Sequence, residues 1–312
     1  MRIIFMGTPD FAVQVLDAII KEGHEVVGVY TQPDKPKGRG KSMQFTPVKE
    51  KAVEYDIPVY QPIKVREPEV VEEMKQLQPD VIVVVAFGQI LPETILNLPP
   101  LGCINVHASL LPKYRGAAPI QRVIIDGEKE SGVTTMYMAK GLDTGDMIEK
   151  TVVPIDAKET GGSYHDKLAV AGAELCLSTL KKLEDGTAQR TPQDDSQSCY
   201  AHMLNKGMGV LDFQKSAVEL ERLIRGLNPW PSAYTQLQGK TLKVFEADVM
   251  DENVAATAAP GTVVAVDKKS FTVQCGTGAL KILSLQLEGK KRMETAAFLL
   301  GYTITPGMVL GE

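Results

Sequence analysis

The sequence predicts an α/β fold: a Rossmann-like open, mostly parallel sheet with helices on both faces, followed by a small OB-like β-barrel domain. Three observations predict it. Apolar strand-like runs alternate with helix-like segments from Arg2 to Glu184. The run Asp80-Val-Ile-Val-Val-Val-Ala-Phe87 reads as a strongly apolar strand leading to a polar stretch at Asn105 and His107. Beyond a polar, aperiodic segment, five short strand-like runs near 233–237, 241–249, 261–266, 270–275 and 279–286 are closed by Gly-containing turns, as in small barrels.

The elements follow in order. Arg2-Ile-Ile-Phe-Met6 reads as a buried strand, Gly7 to Asp10 as a turn, and Phe11 to Lys21 as a helix with apolar Phe11, Val15, Leu16 and Ile19 on one face. Glu25 to Tyr30 returns as a second strand, which makes a βαβ unit. Gly7 is followed by Thr8 and Pro9 and not by a Gly-x-Gly-x-x-Gly fingerprint, which argues against a nicotinamide cofactor. Residues 31–47 form a long polar loop with Lys35, Lys37, Arg39 and Lys41 against Asp34. Such a loop is either functional or unstructured, and composition alone leaves a phosphate-gripping finger and a solvated surface loop both open. Helices are predicted over 47–55, 68–77, 93–97, 118–126 and 162–184, with strands at 58–60, 80–86, 132–138 and 147–153. Phe87 to Pro92 leaves the end of the apolar strand. Gly186 to Ser198 lacks periodicity and reads as connecting chain. The predicted division is residues 1–189, a linker at 190–205, and 206–312.

The 312 residues are 44% hydrophobic and carry a formal net charge of −5, so no overall basic field advertises nucleic acid. Residues 206–312 carry 12 Lys or Arg against 11 Asp or Glu, leaving +1, and the first 205 residues carry 22 against 28, leaving −6. The C-terminal part is the less hostile to a polyanion. Four scattered cysteines without a Cys-x-x-Cys pair fit a reducing cytoplasm and argue against a zinc ribbon or thioredoxin-type site. With neither a signal peptide nor a membrane-length apolar run, a cytoplasmic protein is expected.

Candidate chemistry lies in Cys103 to Gly116 and in Gly141-Leu-Asp-Thr-Gly145. On a strand, Asn105 and His107 face the same way, and they leave it beside a loop, where open α/β sheets keep ligand sites. Asp143 sits in a glycine-bracketed turn. Amide, imidazole and carboxylate together can stabilise an oxyanion and move protons without supplying a nucleophile. Taken singly, His107 reads as a core histidine, and Asn105 and Asp143 as cap or turn residues. Cys103 reads as packing. Two metal-capable residues without a third do not make a metal site, and none is expected.

Asn105-x-His107-x-Ser-Leu-Leu-Pro112 with Gly141-Leu-Asp-Thr-Gly145 resembles the formyltransferase family that uses 10-formyltetrahydrofolate. Met6-Gly-Thr-Pro-Asp-Phe11, Gln32-Pro-Asp34, Arg39-Gly-Lys41, Arg115 to Gln121 and Asn228-Pro-Trp-Pro231 extend the resemblance over nearly the whole chain, and the C-terminal barrel matches those members that act on methionyl initiator tRNA. The resemblance implies formyl transfer from the folate N10 to the α-amine of the esterified methionine. It implies Asn105, His107 and Asp143 as catalytic residues, Ser109, Leu110, Leu111 and Pro112 as the folate-binding segment, and Phe87, Gly88, Gln89, Ile90 and Leu91 as the lining of the pterin pocket. It further implies Lys35, Lys37, Arg39 and Lys41 as tRNA contacts. A monomer is expected, though nothing in the sequence specifies the oligomeric state. Ala108 departs from the glycine the family often has there. The alternatives are a formyl-folate enzyme acting on an amino sugar, a ribonucleotide or another small amine, and a tRNA-binding module without catalysis.

Overall fold

The computed structural model describes residues 1–37, 42–255 and 258–311. The chain divides into two compact units: Met1–Pro119, Glu130–Pro154 and His165–Ala201 form one, and Ile120–Lys129, Ile155–Tyr164 and His202–Glu312 form the other. From the N-terminus the elements are β1 (Arg2–Gly7), α1 (Asp10–Lys21), β2 (Glu25–Tyr30), β3 (Lys35–Lys37), β4 (Ser42–Gln44), α2 (Pro47–Glu54), β5 (Val59–Tyr60), α3 (Pro68–Gln76), β6 (Val81–Val85), α4 (Glu93–Leu96), β7 (Cys103–His107), β8 (Arg115–Gly116), α5 (Pro119–Ile125), β9 (Glu130–Tyr137), β10 (Met147–Pro154), α6 (Gly161–Glu184) and β11 (Tyr200–Ala201).

The main sheet of the first unit has the order β10-β9-β7-β6-β1-β2-β5. Its β7-β6-β1-β2-β5 portion is parallel, and β9 and β10 add an antiparallel edge. Every residue of β6 and β7 is buried, as a strand covered on both faces requires. Helix α1 buries Phe11, Ala12, Val15, Leu16 and Ile19, the face its spacing predicts. Gly7 is explained by packing: a Cβ there would lie 2.7 Å from the Ala12 Cβ and 2.9 Å from the Val85 carbonyl oxygen.

The segment 31–47 is less irregular than its composition suggests. β3 and β4 pair antiparallel, Lys35 opposite Gln44 and Lys37 opposite Ser42, so each arm satisfies the other's backbone. Lys-Pro-Lys and Ser-Met-Gln have no apolar alternation, which is why periodicity did not find them. Arg39 and Lys41 lie outside the described residues.

The segment read as linker is also tied down. Thr191 bridges to Met147, and β11 pairs in parallel with β8, Tyr200 with Arg115 and Ala201 with Gly116. Its backbone finds partners on another loop, a pairing that local composition does not signal.

The second unit contains α7 (Ala217–Gly226), β12 (Ala233–Leu237), β13 (Lys240–Ala255), β14 (Val263–Val266), β15 (Phe271–Gln274), β16 (Thr277–Leu287), β17 (Met293–Glu294) and α8 (Thr295–Gly301). The expected barrel strands form an antiparallel sheet, order β12-β13-β16-β15-β14, with β17 beside β16. Register shifts near Val244 to Ala247 interrupt the β13–β16 ladder, the kind of irregularity that bends a long strand. Ser216 and Glu219 form a capping box at the start of α7, and Leu220 and Ile224 of that helix join Phe271, Leu280 and Leu285 in the core. β17 and α8 were not foreseen. Trp230 is 57% exposed. Among the described residues no helix is long and apolar enough to cross a membrane.

Candidate active site

Asn105 and His107 lie on β7, where parallel pairing sets Asn105 beside Val84 and antiparallel pairing sets it beside Met136. Both side chains are buried, at 8% and 6% exposure. The Asn105 amide has no hydrogen-bond partner among the described residues, which leaves it available to a substrate.

β9 runs antiparallel to β7, with Tyr137 opposite Ile104 and Thr134 opposite His107. The chain leaving Tyr137 must therefore return by about 10 Å, three strand residues, to reach the imidazole. Residues 138–146 make that return. Gly145 lets the loop lie against β9, since a Cβ there would fall 1.7 Å from the Tyr137 carbonyl oxygen. Asp143 adopts a left-handed backbone, φ 52°. Its Oδ2 accepts the Gly116 N–H at 2.8 Å and stands 3.7 Å from His107 Nδ1. That separation suits an ion pair and is too long for a hydrogen bond.

His107 Nε2 is 3.0 Å from the Tyr114 carbonyl oxygen. A carbonyl can only accept, so Nε2 carries a hydrogen and the neutral ring keeps its lone pair on Nδ1. A proton gained by the ring goes to Nδ1, the atom facing Asp143. In the neutral ring only Nε2 is hydrogen-bonded, and Nδ1 pairs with Asp143 once it gains a proton; of the three side chains, Asn105 supplies the amide donor.

The segment Ser109 to Pro112 is bonded internally. Ser109 Oγ donates to the Lys113 carbonyl at 2.7 Å. Thr134 Oγ1 donates to the Ser109 carbonyl at 2.7 Å and accepts the Leu111 N–H at 3.1 Å. Lys150 Nζ donates to the Leu111 carbonyl, and burial pushes the Lys150 ammonium pKa down. Ser109 and Leu111 are fully buried, whereas Leu110 and Pro112 are half-buried. At the end of β6, Phe87 and Leu91 are buried, Gly88 and Ile90 are exposed, and Gln89 holds Val65 N and the Pro62 carbonyl. The Phe87 carbonyl accepts from Thr8 Oγ1 and Gln32 Nε2. Phe87, Gln89 and Leu91 thus shape the turn, leaving Gly88 and Ile90 outward.

Lys35 is exposed on β3. The base of its loop is anchored: Lys49 Nζ donates to Asp34 at 2.5 Å and to Gln61 at 2.7 Å, and Gln61 donates to Asp34 and to the Gln32 carbonyl. Burial pushes the Asp34 carboxyl up, but Lys49 and Gln61 outweigh it and hold the pKa below its ordinary value. Cys103 donates its thiol to the Ile95 carbonyl at 3.4 Å, and burial pushes its pKa up to about 12, so it is a packing residue. Among the described residues no group of three or more His, Cys, Asp or Glu could hold a metal.

Sequence reasoning missed Thr134, Lys150 and Gln193. Gln193 Oε1 accepts from Arg115 Nε at 3.0 Å and Nη2 at 2.8 Å, while its Nε2 donates to the carbonyls of Asp143 and Gly145, each at 2.8 Å. No local motif signals such contacts.

An amide, an imidazole and a carboxylate gather beside a parallel sheet with no nucleophile among them, an arrangement suited to group transfer in which the substrate brings its own attacking group. A family model described as formyl transferase matches residues 1–180, and a second, the formyl transferase C-terminal domain, matches residues 203–303. The methionyl-tRNA formyltransferase of Lachnospira eligens is 57% identical over 315 residues, covering 100% of both chains. That of Agathobacter rectalis is 56% identical over 307 residues, covering 98% of each. Among solved structures, WlaRD, a sugar 3N-formyl transferase crystallised with dTDP and 5-N-formyl-THF, superposes with a TM-score of 0.66 at 19% identity, covering 93% of this chain and 99% of its own. The chain belongs to the formyl transferase family, on the branch of the methionyl-tRNA formyltransferases.

Proposed function

We infer that this chain transfers the formyl group of 10-formyltetrahydrofolate to the α-amine of methionyl initiator tRNA, for translation initiation. The observation that carries the mechanism is His107 Nδ1 facing Asp143 Oδ2 at 3.7 Å while Nε2 is held by Tyr114. The folate co-substrate supplies an activated formyl group on N10. The buried Asn105 amide is the kind of donor that a formyl oxygen gaining charge requires, and no other role occupies it.

An α-amine has a pKa of about 7.7–8.0, so a useful neutral fraction exists near pH 7 without a strong base. As its nitrogen bonds to the formyl carbon, negative charge grows on the formyl oxygen and Asn105 donates to it. The bond to N10 breaks, and the ammonium proton passes to that leaving nitrogen. His107 Nδ1, paired with Asp143, is the proton-carrying site for this transfer. In this reading the half-buried Leu110 and Pro112, with Gly88 and Ile90, meet the folate. Ser109, Leu111, Phe87, Gln89 and Leu91 hold that surface in shape.

Lys35, Lys37, Arg39 and Lys41 take tRNA phosphates, with residues 206–312 adding contacts, and the enzyme acts as a cytoplasmic monomer. No metal enters the reaction as proposed. The test incubates methionyl initiator tRNA with 10-formyltetrahydrofolate and reads the aminoacyl ester by mass spectrometry. Formylation by the wild type and its loss in His107→Ala are expected. Equal formylation by both would reject the assignment.

A further inference from the structure

We propose that Gln193 is a positioning residue of this site, one amide that fixes the Asp143 carboxylate from both sides at once. The proposal rests on the reading of Asp143 given above. Asp143 must be held against two tendencies. Its left-handed backbone is disfavoured for a residue with a Cβ, and its loop has to fold back from the far end of β9. The side chain itself is aimed by the Gly116 N–H, at 2.8 Å.

Gln193 joins these two halves. Its Nε2 holds the carbonyls of Asp143 and Gly145, each at 2.8 Å, which pins the turn on either side of Thr144. Its Oε1 holds both Arg115 Nε and Nη2, which ties it to the side chain of the residue preceding the Gly116 donor. Two acceptor carbonyls at one end and a donor-only guanidinium at the other leave a single orientation for the amide. Neither a carboxylate nor an apolar side chain can make this bridge. The strap is itself anchored on both sides of Gln193, by Thr191 on Met147 and by β11 on β8, so the amide is presented from a fixed backbone.

Gln193 touches no reacting atom in this scheme. Its effect runs through Asp143, and that gives the test its form. Wild type, Asp143→Ala, Gln193→Met and the double variant are compared by steady-state kinetics on methionyl tRNA, with Gln193→Glu as a second replacement that keeps the Arg115 bonds but cannot donate. Gln193 is half-buried at the surface, so the variants are expected to fold, which circular dichroism checks.

Gln193→Met and Gln193→Glu should each lower kcat about 10- to 100-fold, with both KM values within about twofold of wild type. In the Asp143→Ala background the Met replacement should cost nothing further, because the group it positions is gone. If Gln193→Glu turns over normally, or the losses in the double variant multiply, the positioning role is overturned while the catalytic assignment stands. Normal turnover by Asp143→Ala itself would overturn both, and is distinguished by that single variant.

Discussion

At the residue scale, the division of labour follows from which atoms are already engaged. His107 has one nitrogen on the Tyr114 carbonyl and the other turned to Asp143, so the oxyanion contact falls to Asn105. Asn105→Ala should lower kcat by about 10²- to 10³-fold, the loss of roughly 2.7–4 kcal/mol from one well-aimed donor, with the tRNA KM unchanged. Steady-state kinetics on methionyl tRNA checks it, and a changed KM with an intact kcat would reassign the amide to ground-state binding. Cys103→Ala should leave kcat within about twofold, because the replaced thiol is bonded to Ile95 and held protonated by burial. That Asn105 and His107 sit two apart on one strand was legible because strand periodicity is two; their proposed roles, and the partnership with Asp143, came from the family resemblance and not from any local pattern. Gln193 was not legible: its partners lie 50 and 78 residues away and include backbone carbonyls, which carry no residue identity.

At the element scale, α6 is docked on the antiparallel edge of the sheet by a polar cluster. Glu149 of β10 accepts from Ser178, Thr179 and Lys182 of the helix, and Thr179 in turn meets Thr135 of β9 at 2.7 Å. Burial pushes the Glu149 carboxyl up, but the three donors and the Lys182 charge outweigh it, and its folded pKa is lowered. A lowered folded pKa means that the stabilisation is complete above the unfolded value of about 4.3 and fades as pH falls through the folded one. Glu149→Gln should therefore destabilise the protein by about 1–2 kcal/mol at pH 7, and the gap to wild type should shrink below about pH 4. Urea denaturation at the two pH values checks this, and a gap independent of pH would exclude the carboxylate as its source. Elements with a long apolar period, such as α1 and β6, were readable from sequence. β3, β4 and β11 were not, since two or three polar residues pair only because a partner strand is present.

At the scale of the whole molecule, an anionic protein whose proposed substrate is a polyanion must confine attraction to local patches. The net charge is −5, and the basic loop at 31–47 concentrates four cations against Asp34. Neutralising Lys35, Lys37, Arg39 and Lys41 together should raise the tRNA KM and reduce the slope of log affinity against log salt by about 3, at 0.7–0.9 per phosphate contact. The folate KM should not move. Titration across about 50–200 mM salt checks this, and an unchanged slope would remove the loop from the tRNA interface. Periodicity divides the sequence around residues 190–205, whereas the second compact unit also takes in residues 120–129 and 155–164, short insertions that carry no compositional mark. One feature also governs how unfolding of this molecule can be watched. Its single indole, Trp230, belongs to the second unit and is already 57% exposed when folded. Tryptophan emission should shift little on denaturation, so far-ultraviolet dichroism or scanning calorimetry is the optical or thermal channel in which loss of the sheet that bears Asn105 and His107 becomes visible.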